Sequence, residues 1–402
     1  MSETTEPNVG SFTLGGLPAT EPAAPIEVPD HAEWPLPNGF AWVFPGEGNH
    51  GGLVRPVIMA DGFNLGRSKL DVLYHGLEGG DFPFISELRR RGRDVILLGF
   101  EERSASILDN ARAAEAAIMR AIAEQVGDAR LAVGGFSMGG IVTRYALARL
   151  ETQRMDHRTG LYFSYDSPHR GASIPVGVQA FSHFIPFPNA FAKQMDSPAA
   201  RQMLWQHYDK DTEKIGVAPE RTEFLAALDR VGGWPQIPMK IAVANGRSDG
   251  LGLPDVEPGE VTLRIDRIYP GTTFYAQARG DDVTAAYLNR RFPKAERTVT
   301  TDAFPELDGA PGGTLHTYKI LADTMRKLGA KTDLRQEEVC FVPTVSAVAV
   351  RDIDKQDDLY VSIDDLAPDE SELDDFRCSS TTSAHTAITE ELCTWIMDRL
   401  PS

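Results

Sequence analysis

The chain has 402 residues, and its 58 acidic and 40 basic residues give a formal net charge of −18. Nucleic acids and anionic surfaces are bound through basic patches, so this acidity argues against a nucleic-acid partner. The three cysteines form no CxxC pair, which gives no support to a disulfide framework or a zinc site. The length suits one large domain with insertions, or two domains.

The N-terminal region has none of the features of a targeting segment. It lacks a basic stretch followed by an apolar one, and no apolar run approaches the roughly 18 residues of a membrane-spanning helix. We therefore expect a cytoplasmic protein without an integral membrane segment. Residues 1–38 are rich in Pro, Glu, Thr and Ala, which predicts an extended or disordered leader.

Short apolar runs alternate with amphipathic stretches between residues 39 and 171, the first part of the core. The run DVILLGF at 94–100 is typical of a buried strand, and the alanine-rich stretch from Ser104 to Val126 has helical spacing, with Ser104 as its N-cap. Apolar strands separated by helical stretches indicate βαβ units. The predicted fold class is therefore α/β, with a mostly parallel central sheet flanked by helices.

This alternation is interrupted twice after residue 171. Aromatic residues in helical or irregular stretches predict a helical cap, and the alternating pattern VTLRID followed by Pro270-Gly271 predicts a β-containing insertion. Between and after them the core resumes, and it ends in an amphipathic helix. The predicted cap, core strand, insertion and last part of the core are residues 172–235, 236–250, 251–336 and 337–402, respectively.

The stretch LAVGGFSMGG at residues 131–140 places Ser137 between an apolar run and a helical pattern. A strand, a serine flanked two residues away by glycines, and a helix are typical of a nucleophile elbow, because the glycines let strand and helix pass closely. The backbone N–H of Met138 would then lie at a helix N-terminus, where it can stabilise an oxyanion. We interpret Ser137 as a nucleophile.

Two segments resemble a known family. GFSMGGIVTRYALA resembles the nucleophile elbow of α/β-hydrolase lipases and esterases. YDSPHRGASIP, from Tyr165 to Pro175, is similar to a segment of triacylglycerol lipases and of their GPI-inositol-deacylase-like and lecithin-cholesterol-acyltransferase-like relatives. The resemblance runs from about residue 56 to residue 175, and it implies an α/β-hydrolase fold with a serine nucleophile.

The resemblance also implies a second oxyanion donor. In that family a strand near the start of the fold ends in His-Gly-x, and the residue after the glycine supplies a backbone N–H. The matching residues here are Asp61, Gly62 and Phe63, with Asp61 in place of the usual His. Phe63 is therefore the candidate donor.

The catalytic base is sought among nine histidines. In α/β hydrolases the chain order is Ser, then Asp or Glu, then His, so histidines before Ser137 are excluded. His169 belongs to the SPHRG segment, where the family histidine is usually structural. His385 lies in a Ser/Thr-rich loop just before the last amphipathic helix, where the resemblance places the base. We predict His385 as the base.

The acid that orients this base has several candidates. Asp249 lies in the loop after the strand Met239–Ala244, the usual position for such a carboxylate, and is our prediction. Asp166, at the end of the strand that follows the nucleophile helix, is the alternative. Asp352 and Asp354 come third, and each of these residues also suits an ordinary turn.

Phe181, Phe184 and Phe187 in the predicted cap suggest a lid over an apolar acyl site, although they could equally pack the cap onto the core. Together these residues predict a serine hydrolase that cleaves a small-molecule or lipid-like ester through an acyl-serine, with no metal or organic cofactor. Two alternatives stay open: an acyltransferase with an alcohol or amine acceptor, and a non-catalytic binding protein on a hydrolase scaffold. The oligomeric state is left open.

Overall fold

The computed structural model describes residues 26–402, so the leader prediction for residues 1–25 lies outside it. The strands are short and are numbered along the chain. They are β1 (Ala32–Leu36), β2 (Gly39–Phe44), β3 (Pro56–Ala60), β4 (Asp94–Phe100), β5 (Leu131–Phe136), β6 (Thr159–Tyr165), β7 (His207–Asp209), β8 (Lys214–Gly216), β9 (Met239–Ala244), β10 (Val261–Asp266), β11 (Thr272–Tyr275), β12 (Val283–Arg290), β13 (Ala295–Thr301), β14 (Gly312–Leu315), β15 (Lys331–Leu334), β16 (Val339–Pro343) and β17 (Asp375–Cys378).

The helices range from single turns to the five turns of α3. They are α1 (Leu70–Glu78), α2 (Phe84–Arg90), α3 (Ile107–Glu124), α4 (Met138–Thr152), α5 (Val176–Phe184), α6 (Ala190–Met195), α7 (Pro198–Met203), α8 (Pro219–Arg230), α9 (Thr317–Lys327), α10 (Thr344–Ala347), α11 (Gln356–Leu359) and α12 (Glu390–Met397). Within the part of the chain that the model covers, no helix has the length and apolar character needed to cross a membrane.

The largest sheet has eight strands in the order β1-β2-β4-β3-β5-β6-β9-β17. Pairing is antiparallel for β1 with β2 and for β2 with β4, and parallel for all the other neighbours. The apolar strands β3, β4 and β5 are buried along their whole length, as strands covered on both faces must be. The predicted fold class, a mostly parallel sheet flanked by helices, is confirmed.

Helices cover both faces of this sheet. Apolar residues of α3 and α4 belong to the core on one face, and those of α1, α2 and α12 to the core on the other. The side chain of Ser106, and not Ser104, accepts the N-terminal hydrogen bond of α3. The folded part also begins earlier than the predicted leader allowed, because β1 pairs with β2 along its whole length.

The predicted cap forms α5 to α8 and the small β7–β8 hairpin. The predicted insertion forms a five-stranded sheet in the order β13-β12-β11-β10-β15. Its first two strands along the chain, β10 and β11, form the expected antiparallel hairpin. Helix α5 lies against β12 so closely that a Cβ on Gly177 would come within 2.7 Å of Ala286 Cβ. Cap and insertion therefore pack on each other.

One strand of the predicted insertion belongs elsewhere. β14 pairs with β16, in the last part of the core, and not with the five-stranded sheet. The boundary predicted after residue 336 therefore does not separate insertion from core. This matters for the site, because β14 lies beside the loops that carry the candidate base and acid.

Candidate active site

Ser137 occupies a sharp bend between β5 and α4. Its backbone has φ 52° and ψ −123°, a strained conformation for a residue with a side chain. A Cβ on Gly139 would overlap the carbonyl oxygens of Ala60 and Asp61, and one on Gly135 would overlap the backbone of Gly139. The glycines on either side of the serine are thus required by the close passage of strand, bend and helix.

Ser137, His385 and Asp166 form a hydrogen-bonded chain. His385 Nε2 lies 2.8 Å from Ser137 Oγ, and His385 Nδ1 lies 2.7 Å from Asp166 Oδ2. Their exposed fractions are 2%, 1% and 0%, so the chain is shielded from water. A histidine held in this way by a carboxylate can accept the proton of the serine hydroxyl.

Asp166 is fixed from several sides. It is the first residue after β6, and its φ of 47° is in the left-handed region that Asp tolerates better than most residues. Its Oδ1 accepts the backbone N–H of Asn245 at 3.0 Å, while its own N–H donates to the carbonyl of Val243 at 2.7 Å. A Cβ on Gly313 of β14 would overlap Asp166 Oδ2. The carboxylate therefore has little freedom to turn away from His385.

The loop of His385 is held by backbone contacts. The N–H of His385 donates to the carbonyl of Thr314 on β14 at 2.8 Å. The hydroxyl of Tyr165 and the amide of Asn245 both donate to the carbonyl of Ala387, at 2.7 and 3.0 Å. The ring of Phe341 meets the imidazole edge-on, with 4.7 Å between ring centres. Thr314 and Phe341 were not predicted, because no local pattern connects them with residue 385.

Asp249, the predicted acid, lies away from His385. It is partly exposed and pairs with Arg247, whose hydrogen bond lowers the pKa of the Asp249 carboxyl. The third candidates are also on the surface: Asp354 is exposed, and Asp352 pairs with Lys355 at 3.2 Å. The structure therefore brings Asp166, the alternative candidate, and not Asp249, into contact with His385.

The two candidate oxyanion donors flank the serine. Met138 is the first residue of α4, and a Cβ on Gly62 would lie 3.4 Å from Ser137 Cβ, so the loop of Phe63 passes beside the nucleophile. Asp61 holds this loop by accepting the N–H of Gly62 and the hydroxyl of Ser68, both at 2.7 Å. Asp61 thus has a local structural role at the position where the related family has His.

Burial raises the pKa of Asp61, while Arg103 opposes the effect from 3.7 Å, together with the two hydrogen bonds. The Ser68 hydroxyl also accepts the N–H of Phe100, at 3.0 Å, which ties the loop to the end of β4. The loop that presents the Phe63 N–H is therefore anchored to the main sheet.

An apolar cavity adjoins these residues. It has room for about one water-sized group, and its walls come from the oxyanion loop, the cap and β16. They are Phe63, Ala172, Ile174, Met195, Ala200, Met203, Leu204 and Phe341. Phe63 belongs to the oxyanion loop and Phe341 contacts His385, so the cavity lies beside the candidate triad.

The predicted substrate-binding phenylalanines are not among these walls. Phe181 is fully buried against Tyr269 and Phe274 of the insertion, at ring-centre distances of 5.0 and 5.6 Å. Phe184 lies under the guanidinium of Arg290, and Phe187 is 39% exposed. Phe181 and Phe184 pack the cap onto the insertion, which corrects their interpretation as acyl-site residues.

His169 of the SPHRG segment is held by a hydrogen bond and by ring contacts. Its Nε2 lies 2.9 Å from Ser164 Oγ, and its ring lies beside Trp234, over which Arg144 stacks at 3.5 Å. Burial lowers the pKa of His169 well below its usual value, and Arg144 and Arg170 add to the effect. The imidazole is therefore neutral, as suits a packing role.

No family model and no curated protein matches the sequence. Similar solved structures include the Bacillus licheniformis lipase BlEst2 in mature form, which is 13% identical, with 52% of this chain and 72% of that chain covered and a TM-score of 0.34. A Pyrobaculum calidifontis esterase is 13% identical, with coverage of 54% and 66% and a TM-score of 0.35. A Mycobacterium tuberculosis puromycin-hydrolyzing peptidase is 18% identical, with coverage of 54% and 32% and a TM-score of 0.32.

This chain thus spans 66% of the esterase and 32% of the peptidase. Identities of 13% to 18% and TM-scores of 0.32 to 0.35 do not indicate which reaction this chain catalyses. When the eight strands of the main sheet are renumbered 1 to 8 in chain order, they lie side by side in the order 1-2-4-3-5-6-7-8. Only the second strand runs antiparallel to the others. This topology, with a nucleophile elbow after the fifth strand, is the α/β-hydrolase fold.

Proposed function

We propose that this protein is a serine hydrolase that cleaves a carboxylic ester, with Ser137 as nucleophile, His385 as base and Asp166 as its orienting carboxylate. The observation that carries the proposal is the pair of short hydrogen bonds that joins the three buried side chains. Such a chain raises the nucleophilicity of a serine hydroxyl that is otherwise a weak nucleophile.

The reaction follows from these positions. His385 Nε2 takes the proton of Ser137 Oγ as the oxygen attacks the ester carbonyl, and the N–H groups of Met138 and Phe63 donate to the resulting oxyanion. His385 then gives the proton to the departing alkoxide, which leaves an acyl-serine. Water, deprotonated by the same histidine, releases the acid. Asp166 stays ionised throughout and stabilises the imidazolium.

The substrate is an ester whose acyl group is apolar. The cavity beside His385 is lined by apolar side chains alone, and α6 and α7 of the cap supply Met195, Ala200 and Met203 to it. Because Ser137 is 2% exposed under this cover, entry of a substrate requires the cap segment to move.

Labelling with a fluorophosphonate probe and turnover of p-nitrophenyl butyrate test the proposal. We expect Ser137→Ala to abolish both, and His385→Ala to lower both strongly, while the variants keep the melting temperature of the wild type. Equal labelling of wild type and Ser137→Ala would instead favour a non-catalytic binding protein. Formation of butyl butyrate in preference to butyric acid, with 1-butanol added, would favour acyl transfer over hydrolysis.

A further inference from the structure

A second cavity lies between the cap and the insertion. It has room for about one water-sized group. The cap contributes Ser173, Ile174 and Trp205, and the insertion contributes Phe304 and Asp308. The cavity is therefore polar on one wall and apolar or aromatic on the others.

This cavity is next to the apolar one beside the candidate triad. Ile174 lines both. Leu204 lines the apolar cavity, and the next residue, Trp205, lines the polar one. The backbone N–H of Trp205 donates to the carbonyl of Ala172, which also lines the apolar cavity, at 2.9 Å. The same two crossing segments of the cap thus separate the two cavities. A chain that extends from the apolar cavity into the polar one would therefore require the same movement of the cap that substrate entry needs.

Asp308 is a buried carboxylate without a counter-ion. It is 2% exposed, and its Oδ2 accepts the backbone N–H of Gln277 at 3.0 Å. Within residues 26–402, no basic side chain forms an ion pair with it; the nearby Arg279 pairs with Glu306 instead, at 3.3 Å. Burying an ionised carboxylate without a cation costs several kcal/mol, by order of magnitude. A cation in the cavity would remove that cost.

The charge state of Asp308 fits this need. Burial raises its pKa to about 6, against the opposing effect of the Gln277 N–H, so the carboxylate is mostly ionised at neutral pH. The titratable groups that interact with it are Tyr318, Cys340 and Tyr360, and burial raises the pKa of each. All three are neutral near neutral pH, so none of them compensates the negative charge.

We propose that this cavity binds a primary ammonium group, which forms an ion pair with the carboxylate of Asp308. A primary ammonium matches the space for one water-sized group, whereas a trimethylammonium group does not. The rings of Trp205 and Phe304, whose centres are 4.8 Å apart, line the same space. A lone carboxylate is too few ligands for a divalent metal ion.

The ammonium site at Asp308 also specifies a class of substrate. This part of the inference rests on the proposed function. That class is an ester whose apolar acyl chain ends in a primary amine, with the chain beside His385 and the ammonium at Asp308. The net charge of −18 also favours the approach of a cationic substrate over that of an anionic one.

Binding of n-butylammonium chloride to the Ser137→Ala protein, measured by calorimetry, tests the site without any catalysis. We expect 1-butanol and tetramethylammonium to bind much more weakly. We expect Asp308→Asn to weaken butylammonium binding by about 30-fold or more, the usual loss when one partner of a buried charge pair is removed. The matched control is Asp302→Asn, because exposed Asp302 also accepts a backbone N–H, from Asp282, but lies outside the cavity.

A pH series on Ser137→Ala checks the same site without a change at residue 308. Butylammonium stays protonated between about pH 8 and pH 5, whereas Asp308 gains a proton as the pH falls through about 6, so binding should weaken toward low pH. Equal affinity for butylammonium and 1-butanol, or unchanged affinity in Asp308→Asn, would overturn the proposal.

Activity of the wild type then links the site to the reaction. We expect the ratio of kcat/KM for an ω-aminoacyl p-nitrophenyl ester to that for its ω-methyl isostere to fall about 30-fold in Asp308→Asn and to hold in Asp302→Asn. If neither ester is turned over but butylammonium binds, the proposed function fails and the ammonium site stands. If both esters are hydrolysed with an unchanged ratio, the substrate assignment fails.

Discussion

Asp166 and Asp249 follow two neighbouring parallel strands, β6 and β9, but their surroundings are opposite. Asp166 comes directly after its strand and is enclosed by Asn245, Gly313 and His385. Asp249 is separated from its strand by residues 245–248 and pairs with Arg247 at the surface. A position at the carboxyl edge of the sheet is thus insufficient to bring an aspartate into contact with His385. The carboxylate must be close enough to the strand end to be enclosed by the loops above it.

Neutralising each carboxylate in turn should separate the two positions most clearly. We expect Asp166→Asn to lower kcat/KM for p-nitrophenyl butyrate by about 10⁴-fold, because the amide no longer stabilises the imidazolium or holds the required tautomer. Asp249→Asn should stay within about twofold of the wild type, as a surface position away from the site. An inactive Asp249→Asn beside an active Asp166→Asn would reverse the assignment.

The enclosure of Asp166 can be tested without changing its charge. In Gly313→Ala the new methyl group would overlap Asp166 Oδ2, so the carboxylate must shift. We expect kcat/KM to fall about 100-fold, the typical cost of a misplacement of about 1 Å in an active site. Gly51→Ala is the control, because a Cβ there meets nothing within 4 Å. Wild-type turnover in both variants would show that Asp166 tolerates displacement.

Asp61 is a third aspartate at the end of a parallel strand, because it directly follows β3. Asp61→Asn weakens the contacts with Gly62, Ser68 and Arg103 and should lower kcat about tenfold, less than the roughly 100-fold expected for loss of an oxyanion donor. The control is Asp94→Asn, since Asp94 is equally buried and accepts backbone N–H groups at the opposite end of the sheet. A loss of kcat in Asp94→Asn of similar size would indicate general destabilisation.

The smallest effect is expected at the surface pair of the β9 loop. Arg247→Ala removes the partner of Asp249 and should change the free energy of unfolding by no more than about 1 kcal/mol, because exposed ion pairs contribute little. Urea unfolding measures this change, and kcat/KM should be unaffected. A large loss of activity would mean that the β9 loop takes part in the reaction.

The elbow was predictable because its determinants are contiguous. Strand, bend and helix lie within residues 131–152, and Gly135 passes close to the backbone of Gly139 in the same stretch, although Gly139 also meets the distant carbonyls of Ala60 and Asp61. His385 was predicted from the chain order and from its place before the last helix, and it is the histidine that lies 2.8 Å from Ser137 Oγ. The mostly parallel sheet followed from buried apolar strands, a signal that each strand carries by itself.

The aspartate that contacts His385 and the apolar cavity could not be predicted in the same way. The choice between Asp166 and Asp249 depends on which loop the histidine meets, and that contact spans 219 residues. The cavity walls come from segments scattered between Phe63 and Phe341. The apolar character of Phe181 indicated burial correctly, but its partners, Tyr269 and Phe274, lie in the insertion. The sequence therefore predicted that Phe181 is buried, but not that the insertion covers it.

The long separation between the candidate residues also sets an order of events during synthesis. Ser137 and Asp166 leave the ribosome early, whereas His385 follows 248 residues after the serine. Its loop then docks on Thr314 of β14, which is itself made late. A growing chain therefore has no histidine within reach of Ser137 at this position until residue 385 has been made.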